Sequence, residues 1–447
     1  MEEVTMNDCT CPFEPWGRYS ASGGVFSRGV NGTDIAMYSF GGDTGSHADG
    51  LGGVVLTHWK YPLNNNNNGC NCWERLADSP VEVGYRGTAT QIGDFVYIIG
   101  GSDRRRQAID QIWQYSLSLD TWTLVDSQLP TPRWRHAAVA IDETRILITG
   151  GRQGRLVLSD VWIFDTANLT WTQLEDVMLP PMYRHEMSFD KDRNFVWIYG
   201  GLDQTLARYP STLWQLRLNS QSVVEIVADT TVNPLPPRLA SHMMEYISHL
   251  DVVILWGGGC SDDAELHVYD IQENTWCGIY PANRPDRRDA MLWSLHYPYI
   301  YMAQGDIICY NRQVLPISDV HVLDLTTHNA WEMLYEPFNS RGTGREPYCN
   351  GSNNGNCQPN PLFGDTENRG STCSDELLAR FADPSLLAEY EEEDLLLSKA
   401  EEYPSPKSLV NAEEPMMITS GSSFRHGPGM LPVVLSILLL VLTRRRG

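Results

Sequence analysis

A glycine doublet recurs five times along the chain, each time at the end of a short apolar run rich in β-branched and aromatic residues. The doublets follow one another at intervals of roughly 50 to 60 residues, a period typical of propellers, solenoids and other repeat architectures. They are Gly41-Gly42, Gly100-Gly101, Gly150-Gly151, Gly200-Gly201 and Gly257-Gly258. A unit of this length is too small to stand alone, so the repeat predicts several similar units packed against one another.

A tryptophan recurs in step with the glycines. Trp122 and Trp171 each follow a doublet by about 21 residues, and Trp276 follows its own doublet slightly more closely. An aromatic residue and an aspartate precede the tryptophan, as in Phe164-Asp165 and Tyr269-Asp270. Leucine often stands three residues after it, as in Trp73/Leu76, Trp171/Leu174 and Trp331/Leu334. The alternation of apolar residues between Gly, Pro and Asp predicts four short strands in each unit.

Gly-Gly, Tyr/Phe-Asp and Trp at these offsets resemble the kelch repeat, which forms one four-stranded blade of a β-propeller. The resemblance covers residues 15–335 and implies an all-β, six-bladed kelch-type propeller. The glycines would let the chain bend where a side chain would collide with the next blade, and the tryptophan would fill the wedge between blades. The predicted blades are 15–76, 80–125, 131–174, 180–227, 236–279 and 284–334.

Three units depart from the pattern. The fourth ends in Gln221-Ser-Val-Val224 where tryptophan is expected, the sixth has Gln304-Gly305 in place of the doublet, and the first contains an insertion with Asn64–Asn68. All six units begin at the same strand. The sequence therefore offers no terminal strand that would complete a distant blade and close the ring.

Outside the propeller, residues 1–14 are an N-terminal segment, residues 336–373 a Cys/Asn/Gly-rich loop region and residues 374–429 an acidic low-complexity spacer. Residues 430–443 are a hydrophobic membrane segment, and residues 444–447 are a basic tail. The formal net charge of −23 argues against binding to nucleic acid or to an anionic membrane by bulk electrostatics. Residues 374–402 are crowded with Asp and Glu, which predicts a mostly disordered, solvated spacer, with a marginal helix as the alternative.

Residues 430–443 are almost wholly apolar and precede Arg444–Arg446. They predict a short hydrophobic helix that attaches the protein to a membrane, preferably as a single-pass span with the arginines in the cytosol. A lipid-anchor signal that uses the small residues 420–423 is the second possibility. Either arrangement places the propeller outside the cell or in a lumen. Because residues 1–10 contain no apolar signal region, a tail-anchored protein facing the cytosol stays open.

Cysteines and glycosylation sequons bear on the compartment. The ten cysteines include Cys9-x-Cys11, Cys70-x-Cys72 and a late group at 349, 357 and 373, which together indicate disulfides and an oxidising compartment. A metal site is not predicted. Sequons for N-glycosylation occur at Asn31, Asn168 and Asn350, and they also favour the extracellular side.

Most predicted first strands begin beside an arginine or a histidine. First strands of propeller blades line the central channel, so these side chains would form a ring of positive charge that binds an anionic glycan or an acidic peptide. The candidates are Arg18, Arg86, Arg133 or Arg135, Arg184, Arg238, Arg287 or Arg288, with His136, His185 and His242. The alternative is that these residues belong to the ordinary kelch pattern and bond backbone carbonyls between blades.

Ligand recognition by loops is the function that the sequence favours. Loops after the doublets would emerge on one face, and Arg104, Arg105 and Arg106 form their densest basic patch. We predict a non-catalytic, membrane-attached protein that binds a protein or glycan partner and needs no cofactor. The alternatives are a mutarotase-like, carbohydrate-active enzyme that uses the channel, as on some six-bladed kelch propellers, and a cytosolic tail-anchored adaptor. No nucleophile elbow, phosphate loop or His-Glu-x-x-His motif is present in the sequence.

Overall fold

The computed structural model describes most of the chain up to Ser385. The described residues are 11, 15, 17–28, 34–44, 53–63, 71–205, 207, 211–231, 233, 235–258, 266–285, 288–306, 318–335, 370–383 and 385. The predicted membrane segment 430–443 and the sequons at Asn31 and Asn350 lie outside them. Within the described part, no helix has the length and apolar character that a membrane span requires.

Six antiparallel four-stranded sheets form the blades of the propeller, and each is built from one continuous stretch of chain. Blades one and two contain β1 Ser22–Arg28, β2 Asp34–Phe40, β3 His58–Pro62, β4 Glu74–Arg75, β5 Thr88–Ile92, β6 Phe95–Ile99, β7 Gln111–Ser116 and β8 Thr121–Gln128. Blade three contains β9 Ala137–Ala140, β10 Arg145–Thr149, β13 Val161–Asp165 and β14 Thr170–Gln173, with an extra hairpin of β11 Arg152–Gln153 and β12 Leu156–Val157.

Blades four to six follow the same order. Blade four contains β15 Glu186–Asp190, β16 Phe195–Tyr199, β17 Leu213–Arg217 and β18 Ser222–Ile226. Blade five contains β19 His242–Ile247, β20 Val252–Gly257, β21 Leu266–Asp270 and β22 Thr275–Tyr280, and a short 3-10 helix, Ser248–Leu250, joins its first two strands. Blade six contains β23 Leu292–His296, β24 Tyr299–Ala303, β25 Val320–Asp324 and β26 Trp331–Tyr335.

The blades form a closed ring. The innermost strand of each blade contacts the innermost strand of the next, and β1 contacts β23, so the last blade lies beside the first. An apolar cluster fills this junction with Met37 and Trp59 of blade one and Tyr301 and Val320 of blade six. The Tyr61 hydroxyl also donates to the Leu334 carbonyl, 2.9 Å away. Within the part of the chain that the structure describes, such contacts join the first and last blades without an exchanged strand.

Large aromatic side chains fill the wedges between blades. Trp122 packs edge-on against Phe40 of the preceding blade with ring centroids 5.5 Å apart. The tilted ring of Trp331 lies 5.4 Å from that of Trp256, also in the preceding blade. Each wedge widens away from the ring axis, so the outermost strand needs the largest apolar side chain. In blade four, where the sequence lacks this tryptophan, the outer strand β18 contains half-buried Val223.

A segment after the sixth blade folds back onto blade five. β27 Gly370–Ser371 pairs with β22 as a fifth strand, and α1 Asp375–Phe381 follows it. Leu377 and Phe381 are buried in the core shared by blades five and six. The start of the predicted acidic spacer is therefore a packed helix and not a solvated segment, because two of its apolar residues enter this core. Beyond α1, the described residues of the 374–429 segment are 382, 383 and 385.

Four of the described residues are cysteines, and all four form disulfides. Cys11 is bonded to Cys72, which ties the N-terminal segment to blade one. Cys277 of β22 is bonded to Cys373, which ties the strand β27 and helix α1 to blade five. These bonds confirm that the cysteines pair, as their number and positions predicted.

Candidate functional site

Six backbone hydrogen bonds encircle one end of the central channel. A non-glycine residue with φ between 50° and 61° stands two residues before the innermost strand in five blades and directly before it in blade five. Its N–H donates to the carbonyl of its counterpart in the preceding blade, and the donor of blade one reaches the carbonyl of blade six. The N···O distances are 2.7–3.3 Å. We call this group the mouth ring: Ser20, Arg86, Arg135, Arg184, Ser241 and Ala290.

The mouth ring frames the entrance of the channel. Residues joined by one such hydrogen bond have Cα atoms about 5 Å apart, so six of them enclose an opening about 10 Å across. The start of β1 pairs with the end of β2, Ser22 with Phe40, and the other blades repeat this register. The glycine doublets and the loops that follow them therefore emerge on the same face as the mouth ring.

Three consecutive blades place an arginine on the mouth ring. The Arg184 Nη1 donates to Asp289 Oδ2 of blade six at 3.0 Å, and the Arg135 Nη2 lies 3.4 Å from Ser20 Oγ of blade one. Each side chain thus passes the neighbouring blade and reaches the second blade along the ring. Arg86 Nε, Arg135 Nη1 and Arg184 Nε are buried without a hydrogen-bond partner among the described residues. Buried donors of this kind raise the free energy of the folded state until a ligand or water satisfies them.

An arc of aromatic side chains flanks these arginines. In blades one to four, the residue before the mouth-ring position is aromatic, and this aromatic arc is Tyr19, Tyr85, Trp134 and Tyr183. The Arg86 guanidinium lies 4.5 Å from the ring centroid of Tyr85 and 4.8 Å from that of Trp134. Arg152, in β11, lies 4.9 Å from Trp134 and 5.0 Å from Tyr183. Stacking between two rings fixes the plane of a guanidinium and leaves its edge for hydrogen bonding.

Arg86 feels the positive charge of other guanidinium groups at the mouth. Burial lowers the pKa of Arg86, the phenols of Tyr85 and Tyr19 oppose this effect, and the nearby guanidinium groups of Arg106 and Arg184 add to it. Arginines that repel one another in a partly desolvated site attract an anion strongly. The mouth ring is therefore a cationic site in a protein whose overall charge is negative.

Several predicted members of the arginine ring do not belong to it. Arg18, Arg133 and Arg288 are fully buried, and each donates to the carbonyl that ends the second strand of its own blade: Gly41, Gly150 and Gln304. Arg133 and Arg288 also form bidentate ion pairs with Asp160 and Asp319. Burial lowers the pKa of Arg18 to about 9. These three arginines bond backbone carbonyls, as the alternative interpretation of the sequence had it, but within their own blade and not between blades.

The three histidines are also packing residues. His136, His185 and His242 are buried, and the first two hydrogen-bond to Thr88 and Thr149 through Nε2. Burial, together with the charges of Arg133 and His185, lowers the pKa of His136 well below its usual value, and burial alone lowers that of His185 to about 3. Neutral, buried imidazoles do not contribute positive charge to the channel.

The remaining predicted positions are spread over the surface. Arg238 is exposed before blade five, where Ser241 occupies the mouth-ring position, and Arg287 lies outside the described residues. Arg104 forms a 2.5 Å ion pair with Glu82, while Arg105 and Arg106 are exposed in the loop between β6 and β7. Of the predicted set, the structure brings Arg86 and Arg184 together at the mouth, with Arg106 beside them.

The sequence analysis gave Arg135 only as an alternative to Arg133, and it omitted the aromatic arc and Asp289. An alignment of the six units on the start of the innermost strand would have found all of them. The arginines of the mouth ring stand two residues before that strand, whereas the buried arginines stand four residues before it.

Two carboxyl groups lie between the innermost strands of blades four and five. Glu245 Oε1 accepts a 2.6 Å hydrogen bond from Ser188 Oγ. Burial and the charge of Glu245 raise the pKa of Glu186 to about 8, and burial raises that of Glu245 to about 7, although its hydrogen bonds oppose this. Among the described residues, no group of three or more side chains is arranged to hold a metal ion.

The comparison with known proteins supports the kelch resemblance. Residues 27–178, which span most of the first three blades, match a family model described as the KLHDC2/KLHL20/DRC7 Kelch-repeats domain. No curated protein matches the chain. Together with the six-bladed ring, the match confirms the predicted kelch-type propeller. Kelch propellers are generally non-catalytic and generally bind protein partners.

Proposed function

We propose that this propeller is a non-catalytic interaction scaffold that binds an acidic segment of a partner protein at the mouth ring. The observation that carries the proposal is the convergence of Arg86, Arg135 and Arg184, each with a buried nitrogen that lacks a partner among the described residues. Guanidinium groups match carboxylates geometrically, and a charge-assisted hydrogen bond is roughly twice as strong as a neutral one.

The aromatic arc supports the same conclusion. Arg86 is held between Tyr85 and Trp134, so binding an anion would cost it little conformational entropy. Tyrosine, tryptophan and arginine are also the residues most enriched at binding hot spots. Because the net charge of −23 repels acidic partners at long range, attraction to the mouth would be local and sensitive to salt.

The test is binding of fluorescein-labelled hexapeptides rich in Glu and Asp to the full propeller, measured by anisotropy. In the R86Q/R135Q double variant, we expect the Kd to rise at least about tenfold. The matched control is R145Q, because Arg145 is an exposed arginine at the opposite end of β10. Equal affinity in all three proteins would disprove the proposal. A sulfated oligosaccharide titrated in parallel tests the anionic glycan that the sequence left open.

A carbohydrate-active enzyme is the second candidate, and Glu186 and Glu245 favour it. Carboxyl groups with pKa values near neutrality are suited to proton transfer, and Arg184 lies two residues from Glu186. The experiment is an NMR measurement of anomer exchange in a panel of sugars, with E186Q as the control. Catalysed exchange that E186Q abolishes would replace the scaffold proposal.

Membrane attachment and an extracellular or lumenal propeller are also part of the proposal. The disulfides support an oxidising compartment, and Asn168 lies exposed in the turn between β13 and β14, where its Nδ2 donates to Asp165 Oδ2. This turn is at the end of blade three opposite the mouth ring, so a glycan there would leave the mouth accessible. A glycosidase-induced mobility shift that N168Q removes, together with surface labelling of intact cells, tests this arrangement. A protein that is unglycosylated and inaccessible to the label would instead favour a tail-anchored adaptor facing the cytosol.

A further inference from the structure

An acidic side chain of the propeller itself reaches one of the three mouth-ring arginines. Asp289 Oδ2 accepts from Arg184 Nη1 at 3.0 Å, and the pair joins blades six and four past the intervening blade five. The two side chains are only 12% and 22% exposed, respectively. Charge pairs with this little contact with water are screened much less than surface pairs.

The backbone holds Asp289 rigidly in this place. Its N–H and carbonyl form two hydrogen bonds with Asp306, at 3.0 and 3.1 Å, beside the mouth-ring residue Ala290. The equivalent positions of the other five blades are occupied by the aromatic arc and by Ala240. Among these six positions, blade six alone supplies a carboxylate.

The three arginines therefore differ in what they already bind. Arg184 has a carboxylate partner, whereas Arg135 contacts a hydroxyl 3.4 Å away and the ring of Trp134, and Arg86 contacts aromatic faces. An incoming carboxylate that bound Arg184 would have to displace Asp289 from it. The ion pair gained with the ligand would then be offset by the Arg184–Asp289 pair that is lost.

We infer that Asp289 is a specificity-determining residue that competes with acidic ligands for Arg184. It confines the binding of carboxylates to the half of the mouth formed by Arg86 and Arg135, and it lowers the affinity of the site for acidic segments. This inference rests on the proposed binding of an acidic peptide at the mouth ring.

The experiment is a double-mutant cycle on the full propeller with the same labelled acidic hexapeptides. D289N is expected to lower the Kd about tenfold, because Arg184 becomes available to the peptide. R184Q is expected to change the Kd less than about twofold in the wild-type background but about tenfold in the D289N background. D142N is the matched control, since it removes one exposed carboxylate at the opposite end of blade three and changes the net charge equally.

The outcomes separate this inference from the proposed function. If no variant binds the peptides, or if R86Q/R135Q binds them as wild type does, the proposed function fails. If R86Q/R135Q weakens binding while D289N leaves the Kd unchanged, only the role of Asp289 is refuted. Should D289N fail to fold as judged by its thermal transition, D289S provides the same comparison, and additive effects of R184Q and D289S overturn the inference.

Discussion

At the scale of single residues, the glycine doublets are required by the approach of neighbouring blades. All ten of these glycines have φ between 57° and 109°, where a side chain is strained. A Cβ on Gly200 would lie 2.5 Å from the Leu239 carbonyl oxygen and 2.7 Å from His242 Cε1. The sequence analysis predicted this collision with the next blade from the doublets alone. It could not predict that buried histidines are among the groups a side chain would meet.

Gly200→Ala is expected to lower the free energy of unfolding by about 3 kcal/mol or more, because backbone strain adds to overpacking. Gly154→Ala is the matched control. Gly154 has a φ of 58° but nothing lies within 4 Å of its Cβ position, so only the strain of about 1 kcal/mol remains. Urea unfolding followed by tryptophan fluorescence measures both variants. Equal losses would show that the contacts with blade five do not matter.

At the scale of elements, the strand order within each blade follows from local pairing, whereas the packing of β27 and α1 on blade five does not. Hairpins between consecutive strands account for all six sheets. β27 and α1 instead come from residues 370–381 and pack on strands about 90 residues earlier in the chain. Phe381 is fully buried, and Tyr297 Oη donates to its carbonyl. The acidic composition around α1 concealed these contacts, because only two of its seven residues enter the core.

Phe381→Ala is expected to destabilise the propeller by about 3 kcal/mol, because it removes a large buried side chain and leaves a cavity. Glu376→Ala, in the same helix but exposed, is expected to change stability by less than about 0.5 kcal/mol. Thermal unfolding of both variants with the Cys277–Cys373 disulfide intact provides the measurement. Equal melting temperatures of the two variants would show that helix α1 does not contribute to the core.

At the scale of the whole molecule, the ring brings together charges that are far apart in the sequence. Glu186 and Glu245 belong to different blades, and burial together with the charge of Glu245 raises the pKa of Glu186. Arg184 and Asp289, separated by 105 residues, meet across the mouth. The ring also completes the mouth, since the hydrogen bond from the Ser20 N–H to the Ala290 carbonyl exists only when blade six returns to blade one.

The carboxyl pair predicts a pH dependence of stability. Folded Glu186 and Glu245 keep their protons up to about pH 8 and about pH 7, whereas in the unfolded chain both lose them near the usual value of 4.5. The folded state therefore binds more protons between pH 4.5 and 8, and its stability falls as the pH rises through this window.

The E186Q/E245Q variant, which stays neutral, is expected to gain stability over wild type progressively from pH 5 to 8, by about 6 kcal/mol in total. The measurement is the difference in unfolding free energy between the two proteins at each pH, which removes the contribution of the buried histidines. E225Q, which alters an exposed glutamate of β18, is the control and should show no such trend. A flat difference for the double variant would contradict the raised pKa values.

The sequence alone determined the blade, because period-two apolar runs, glycine doublets and wedge tryptophans act within or next to one unit. It also indicated that arginines near the first strands are candidates for binding an anionic ligand. Only the tertiary structure decided which arginine of each pair lies at the channel mouth. Arg133 and Arg135 are two residues apart, but Arg133 pairs with Asp160 and Arg135 reaches Ser20 of the mouth ring. The tertiary structure likewise decided that the ring closes, that α1 packs on blade five and that Asp289 bonds to Arg184. These contacts join segments far apart in the chain, and no local pattern encodes the distance between such segments.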